Sequence, residues 1–197
     1  GLIKQRKFRM KIQANTIRPG NVIEHADKQW TVLKTEMLLP GKGNAFIQVE
    51  MRDVKSGNKT NERFRTSETV EKLMVEEKDA TYLYADGDQI TFMDSESYEQ
   101  FTVDRDGIGD SAAFLQDGMV VTAELIDGAI AGVRLPPHVT VEVIEADPVV
   151  KGQTASSSYK PSVVENDVRV MVPPHIEAGT RIVVNTEDAS YVERAKD

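Results

Sequence analysis

Alternation of apolar and polar residues dominates the chain and predicts short β-strands along most of its length. The clearest runs are residues 29–39 (QWTVLKTEMLL) and 45–54 (AFIQVEMRDV), which are rich in β-branched and apolar residues with partial period-two alternation. Residues 81–93 predict a hairpin, because Asp86-Gly87 interrupts the run and Asp-Gly favours a two-residue hairpin turn. Helical periodicity is scarce, and only residues 111–116 predict one or two helical turns.

The remaining strand signals follow the same pattern of short runs separated by turn residues, at 61–66, 119–126, 129–135, 139–146, 168–172, 181–185 and 191–194. Many short strands at close spacing indicate small barrels or sandwiches. We therefore predict an all-β fold of three consecutive small β-barrel domains, at residues 10–73, 74–137 and 138–197. Residues 1–9 precede Met10, and we interpret them as a tag or another non-native N-terminal extension.

Charge is distributed unevenly among these modules. Residues 1–9 carry +4, residues 10–73 carry +3, residues 74–137 carry −11 and residues 138–197 carry −4, which gives the chain its net charge of −8. Contacts with a nucleic-acid backbone need Lys or Arg, so only the first module is suited to approach RNA. The acidic balance argues against indiscriminate nucleic-acid or membrane-surface binding, and no apolar run approaches the roughly 20 residues of a membrane span. We expect a soluble, cytoplasmic protein.

The chain lacks the residue patterns that enzymatic catalysis or metal binding would need. The chain has no cysteine, and its three histidines, His25, His138 and His175, stand singly, so neither a thiolate site nor a histidine-centred triad is indicated. Residues 107–112 match a dinucleotide-binding glycine pattern, but aspartates at 104, 106 and 110 would repel the pyrophosphate. The same aspartates lack the spacing of a calcium loop. We predict no catalytic residues, no metal and no enzyme.

The segment between the two clearest strands is the strongest candidate site. Pro40 restricts its own backbone, while Gly41 and Gly43 remove the side chains on both sides of Lys42. This composition predicts a narrow hairpin tip that holds one long cation forward. A plain solvated turn has the same composition, so the residues alone leave both readings open.

The tip sequence Pro40-Gly-Lys-Gly-Asn-Ala-Phe46 resembles the lysine-bearing loop of bacterial elongation factor P. The resemblance continues in residues 81–88 (TYLYADGD), 92–100 (FMDSESYEQ), 141–148 (VEVIEADP) and 168–173 (VRVMVP), with Lys151-Gly, Lys160-Pro and Gly179 in the same order. It extends over residues 10–197, and several motifs in the right order are more specific than any one of them.

The resemblance implies an SH3-like (KOW-type) barrel followed by a central OB-type domain and a C-terminal OB-fold domain, in an L-shaped, tRNA-like arrangement. It implies binding to the 70S ribosome between the P and E sites when elongation stalls at consecutive prolines. There Lys42, supported by Pro40, Gly41, Gly43 and Asn44, would contact the acceptor end of the P-site peptidyl-tRNA. No cofactor is implied, but a lysine-modifying enzyme could attach a β-lysyl or aminopentanol group to Lys42. The further partner is rRNA, no membrane is involved, and we expect a monomer.

Two more family positions carry over from the resemblance. Residues Gly152, Gln153 and Thr154 match a Gly-Asp-Thr loop near the E-site codon, with Gln153 in place of the acid. Tyr191 and Arg194 match a Tyr-Val-x-Arg pattern that faces the small subunit, although a plain final strand explains them equally well. Two positions depart from the family pattern: Ser162 replaces an alanine, and Asp167 replaces a glycine.

Two alternatives remain open at this point. A paralogous elongation factor P-like protein would have a different stalling preference, although its tip is expected to carry arginine. A generic OB-type RNA-binding module would stack bases on exposed aromatic residues along a basic groove. Aromatic residues make up only 6% of this chain and its later modules are acidic, which disfavours that reading.

Overall fold

The computed structural model describes residues 9–148 and 158–196 and shows an all-β chain. Sixteen strands form three sheets within these ranges, and every helical segment there is a 3-10 helix of five residues or fewer. The predicted helical turn at residues 111–116 corresponds to one of them, Asp110–Phe114. Within the same described ranges, no helix is long and apolar enough to cross a membrane.

The first sheet has six antiparallel strands in the order β1-β6-β2-β3-β4-β5. Its inner face follows the alternation in the sequence: Ile47, Val49 and Met51 are buried on β4, and their polar neighbours point outward. The strands are β1 (Arg9–Gln13), β2 (Val22–His25), β3 (Lys28–Leu38), β4 (Phe46–Asp53), β5 (Lys59–Arg65) and β6 (Thr69–Leu73).

The second sheet has five strands in the order β11-β10-β7-β8-β9. The hairpin predicted at Asp86-Gly87 is present, because β7 pairs with β8 up to Asp86 opposite Gln89 and Gly87 has a positive φ of 59°. The strands are β7 (Val75–Asp86), β8 (Gln89–Asp94), β9 (Gln100–Asp104), β10 (Val120–Ile126) and β11 (Ala129–Arg134).

The third sheet has five strands in the order β14-β13-β12-β15-β16. These are β12 (His138–Ala146), β13 (Lys160–Val164), β14 (Val168–Val172), β15 (Arg181–Asn185) and β16 (Tyr191–Arg194). The two expected departures from the family pattern, Ser162 and Asp167, differ in their surroundings here. Ser162 is buried and its hydroxyl donates to the carbonyl oxygen of Val170 at 2.7 Å. Asp167 has φ 60°, a left-handed conformation that favours glycine over residues with a Cβ.

Backbone contacts divide the chain into two units. The first unit comprises residues 1–77 and 124–131, and the second comprises 78–123 and 132–197. In the first unit, Ile126 joins a small core with Val22 and Leu73. In the second unit, one hydrophobic core runs through both remaining sheets, from Ala80 to Val184. The domain boundaries drawn from the sequence remain a prediction.

Arg9 is the part of the expected extension that the structure describes. It pairs with Leu73 as the first residue of β1, and its guanidinium binds three carboxylates within the first unit. One belongs to Glu24, a second to Glu71 at 3.3 Å and the third to Asp127 at 2.7 Å. The hydrogen bond that Arg9 donates to Asp127 is the main reason that the pKa of Arg9 is raised above its ordinary value. The interpretation of residues 1–9 as an extension stays a prediction, and residues 1–8 lie outside the described chain.

Candidate functional site at the tip of the first sheet

The candidate site is the seven-residue connection between β3 and β4. The two strands remain paired up to Leu38 opposite Phe46, so the chain leaves the sheet with residues 39–45. Residues 39–44 are exposed, and Leu39 reaches 76% exposure. The hairpin tip predicted from the sequence therefore has the expected position at the end of two long strands.

Lys42 lies at the centre of this tip with its side chain exposed. Among residues 9–148 and 158–196 no carboxylate lies within ion-pair distance of its ammonium group. A lysine that stabilised the free hairpin would be expected to pair with a neighbouring acid or carbonyl. The tip thus presents an ammonium group that its surroundings leave available.

The two glycines beside Lys42 differ in what the backbone requires of them. Gly43 has φ 106°, a conformation that residues with a Cβ rarely adopt, whereas the φ of Gly41 lies outside the positive region. A Cβ at either position would meet no atom within 4 Å. The path of the tip therefore depends on glycine at position 43 because of the backbone, and crowding plays no part at either position.

The base of the tip is held by the most extensively paired part of the sheet. β4 is paired on both sides, with β3 and with β5, along almost its full length. At the foot of the tip, the Thr66 N–H donates to the carbonyl oxygen of Ala45 at 3.2 Å. A buried, doubly paired strand limits the motion of the residues that leave it, so Lys42 is carried on a rigid support.

A second group of cations lies beside the tip, and the sequence reasoning did not single it out. Arg65 is opposite Phe46 across the β4–β5 pair, and Arg63 is two residues further along the same face. The Arg63 guanidinium lies over the Phe46 ring at 5.7 Å. The signal was present as the alternation of exposed residues in β5, but the pairing register was needed to bring these arginines next to Phe46.

The C-terminal candidates lie on β16, at the edge of the third sheet. Tyr191 is half-buried and packs edge-on against Tyr159, with ring centroids 6.2 Å apart. Burial is the main cause that raises the pKa of Tyr191, and Tyr159 adds to it. Arg194 is exposed and opposite Ile182. Tyr191 and Arg194 thus share one short strand, while residues Gly152, Gln153 and Thr154 lie outside the described residues.

Comparisons with known proteins agree with this architecture. Three family models match in succession: the Elongation factor P (EF-P) KOW-like domain at residues 13–70, the Elongation factor P (EF-P) OB domain at 75–133, and Elongation factor P, C-terminal at 139–194. In the part of the chain that the structure describes, no three His, Cys, Asp or Glu side chains come together as metal ligands.

Similar proteins cover nearly the whole chain. The elongation factor P of Gluconobacter oxydans is 63% identical over 95% of this chain and 100% of that protein. That of Gluconacetobacter diazotrophicus is 65% identical with the same coverage. A solved structure, Eukaryotic translation initiation factor 5A from Methanococcus jannaschii, has a TM-score of 0.55 and 20% identity, with 64% of this chain and 94% of that chain covered, and supports the fold alone.

A KOW-like domain followed by an OB domain and a third domain of the same family defines a multi-barrel translation factor. The all-β, multi-barrel fold predicted from the sequence is confirmed. The chain belongs to the elongation factor P family of translation elongation factors.

Proposed function

We propose that this protein binds the 70S ribosome between the P and E sites and stimulates peptide-bond formation when consecutive prolines stall elongation. In this proposal the ammonium group of Lys42 contacts the acceptor end of the P-site peptidyl-tRNA. The observation that carries it is the exposed, unpaired Lys42 on a rigid hairpin in a chain of this family. The protein would act in the cytoplasm as a monomer.

The factor would contribute geometry, and the ribosome would perform the chemistry. Proline is a constrained reactant, so a misplaced peptidyl-tRNA loses rate through orientation. A cation on a rigid support can restore the position of the acceptor end at small entropic cost, because the support is already ordered. The protein would therefore increase the rate without being an enzyme, and Pro40, Gly41, Gly43 and Asn44 would maintain the shape of the tip.

Arg63 and Arg65 support a nucleic-acid partner for this end of the first sheet. Both are exposed, and both share the outer face of the sheet with Phe46. Guanidinium groups bind phosphate oxygens with good geometry. We propose that these arginines contact the backbone of the tRNA or of rRNA beside the tip, which would fit the +3 charge of residues 10–73.

The C-terminal residues would anchor the other part of the protein. Tyr191 and Arg194 would contact the small subunit, and Gly152, Gln153 and Thr154 would approach the E-site codon. An amide at position 153 both donates and accepts hydrogen bonds, so its contacts would differ from those of the family's acid.

Lys42 would also be the substrate of a lysine-modifying enzyme. Its exposure on a narrow tip supports access by such an enzyme. A β-lysyl or aminopentanol group would lengthen the side chain and add a hydrogen-bonding group, which would extend its reach toward the acceptor end. Intact-mass measurement of protein from its own source, compared with recombinant protein, would detect the added group at Lys42.

The test is reconstituted translation of a message that encodes three consecutive prolines, beside a proline-free message. Protein from its own source should rescue the proline message selectively, and Lys42→Ala should abolish most of the rescue with an unchanged melting temperature. Lys55→Ala is the matched control, because Lys55 is an exposed lysine in the turn at the opposite end of β4. It should rescue like the unaltered protein.

The outcomes separate the alternatives. Full rescue by Lys42→Ala would remove Lys42 from the mechanism. No rescue by the unaltered protein, with normal translation of the control message, would contradict the proline-stalling role and point to a paralogous factor for other stalling sequences. Equal loss of rescue with Lys42→Ala and Lys55→Ala would mean that the positive charge of the first sheet matters and the position of Lys42 does not.

A further inference from the structure

Three hairpin turns in this protein share one geometry. They span residues 53–58, 94–99 and 185–190. In each, the N–H of the first residue donates to the carbonyl oxygen of the sixth at 2.8 Å. The side-chain oxygen of the first residue also accepts a hydrogen bond from the N–H two positions later, at 2.8 or 2.9 Å. The turns therefore share one backbone hydrogen bond and one hydrogen bond to a side chain, and they can be compared position by position.

The fifth position of each turn has a left-handed backbone. It is occupied by Gly57 with φ 78°, by Tyr98 with φ 61° and by Ala189 with φ 57°. Glycine is the residue that this conformation favours, and a larger side chain is unfavourable there. The turn at residues 94–99 thus carries a large aromatic residue at the position where its own geometry favours glycine.

No hydrogen bond and no ring contact of the Tyr98 side chain offsets this preference among the described residues. Its side chain is 70% exposed, the most exposed aromatic side chain among the described residues. Within residues 9–148 and 158–196 its hydroxyl has no hydrogen-bond partner and its ring packs against no other ring. A largely exposed aromatic ring without such contacts is available for contact with another molecule.

Charge around Tyr98 restricts the kind of molecule. Glu96 and Glu99 flank it in the turn and are exposed, and exposed Asp79 adjoins the turn, because its carbonyl oxygen accepts a hydrogen bond from the N–H of Ser95 at 3.0 Å. Residues 74–137 as a whole carry −11. Such a surface repels the phosphates of RNA and attracts Lys and Arg side chains. The face of a tyrosine ring also binds a guanidinium or ammonium group.

We propose that the Tyr98 turn, residues 94–99, is a docking surface for a protein surface rich in Lys and Arg. One cationic side chain of the partner lies over the Tyr98 ring, and others pair with Glu96 and Glu99. This surface belongs to the central module and is separate from the Lys42 tip. That the partner is a protein component of the ribosome rests on the function proposed above.

The experiment measures binding of the labelled full chain to purified 70S ribosomes that hold peptidyl-tRNA in the P site. Tyr98→Gly should weaken binding about tenfold, because a central aromatic contact is worth more than the average interface residue. Its melting temperature should equal or exceed that of the unaltered chain, since glycine suits φ 61°. Tyr84→Thr is the control, because Tyr84 is another exposed tyrosine of this module, on β7, and it should bind normally.

Charge reversal decides between protein and RNA. The double variant Glu96→Lys with Glu99→Lys should weaken binding to a basic protein, and it should tighten binding to RNA. A photoreactive benzoylphenylalanine at position 98 should form an adduct with a ribosomal protein, at a peptide that contains Lys or Arg, whereas the same group at position 84 should not.

Four results would overturn the proposal. Unchanged affinity of Tyr98→Gly for the ribosome would show that the Tyr98 ring makes no contact that contributes to binding. Tighter binding of the double charge variant, or an adduct with RNA at position 98, would replace the protein partner by RNA. Absence of binding by the unaltered chain would overturn the proposed ribosomal role together with this partner. This failure is distinguishable from failure of the Tyr98 contact alone, because it appears before any substitution is made.

Discussion

The conformation of Gly43 gives the sharpest test of the rigid-tip argument. Adding one methyl group at Gly41 or at Gly43 changes the same composition by the same amount, and neither methyl group would meet an atom within 4 Å. Only Gly43 has a positive φ, 106°. Gly43→Ala and Gly41→Ala therefore form a matched pair that differs in backbone strain alone.

The expected magnitude follows from that strain. A non-glycine residue with a left-handed backbone costs about 1–2 kcal/mol. An exposed tip relieves this cost by changing its own conformation, so the ratio of native to rearranged tip should fall about 5- to 30-fold while the sheet remains folded. If only the native tip places Lys42 correctly, apparent affinity falls by up to the same factor, and the full factor is reached where the rearranged tip predominates. Gly41→Ala carries no such strain, so its effect should be much smaller.

The assay is the rescue of the three-proline message as a function of factor concentration. Gly43→Ala should need more protein than Gly41→Ala for half-maximal rescue, up to about 5 to 30 times more, by the same population argument. Thermal unfolding of the two variants should differ little. Equal rescue curves for the two variants would refute the claim that the path of the backbone at Gly43 positions Lys42. A large loss of melting temperature in Gly43→Ala would instead show that the tip is coupled to the folding of the sheet.

Three further predictions concern other parts of the molecule. Arg63→Ala should make the plot of log affinity for ribosomes against log salt concentration less steep by about 0.9, because one phosphate contact is lost. An unchanged slope in a salt titration would place this residue away from RNA. Phe92→Ala should lower the free energy of unfolding by about 3–5 kcal/mol in denaturant titrations, since Phe92 is fully buried between two aromatic rings. A loss near zero would mean that the surrounding core collapses into the cavity left by the ring. The N–H of Glu96, followed by that of Ser97, lowers the pKa of Asp94 below its ordinary value of 3.8, so its stabilising contribution is present above that pH and is lost as the pH falls through the lowered pKa. Lowering the pH should therefore reduce the stability of Asp94→Asn less than that of the unaltered chain. Parallel acid-unfolding curves for the two proteins would contradict this.

The sequence was sufficient wherever a strand was long and bounded by turn residues. The runs at residues 29–39 and 45–54 correspond to β3 (Lys28–Leu38) and β4 (Phe46–Asp53) within one residue at either end. Their inner positions alternate with polar ones, and the segment between them contains proline and glycine, so local preference and tertiary environment agree. The position of Lys42 at an exposed tip follows from the same agreement.

Some short strands, including β2 and β13, were not predicted, although β14, β15 and β16 are as short and have the predicted bounds. β13 contains Pro161, and proline argues against a central strand. The structure resolves this conflict, because β12 pairs with β13 only at Ser162 and beyond, so Pro161 lies past the end of that ladder. β2, of four residues, lies between β6 and β3 and is defined by those partners. Such pairings join residues far apart in the chain, and no local pattern specifies them.

The same limit applied to the functional surfaces. The sequence placed Lys42 because the tip is local, but Arg63 and Arg65 approach Phe46 only through the register of β4 and β5. Tyr98 lies in the family motif of residues 92–100, but the motif assigned it no role. Its unusual position became evident only from its left-handed backbone, φ 61°. Features that depend on register or on backbone conformation at a single residue require the coordinates.

Rigidity links the fold of the first sheet to the proposed role of its tip. A lysine on a flexible loop would lose conformational entropy each time it contacted its target, about 1–2 kcal/mol for each backbone residue that became ordered. Here β4 is paired on both sides, and Thr66 holds the carbonyl oxygen of Ala45 at the point where the tip begins. The residues left to order on binding are those of the tip itself, and Gly43 permits the positive φ that their path requires. The hairpin therefore contributes to positioning through entropy that was already lost when the sheet folded, so the contact made by Lys42 requires little further ordering of the chain.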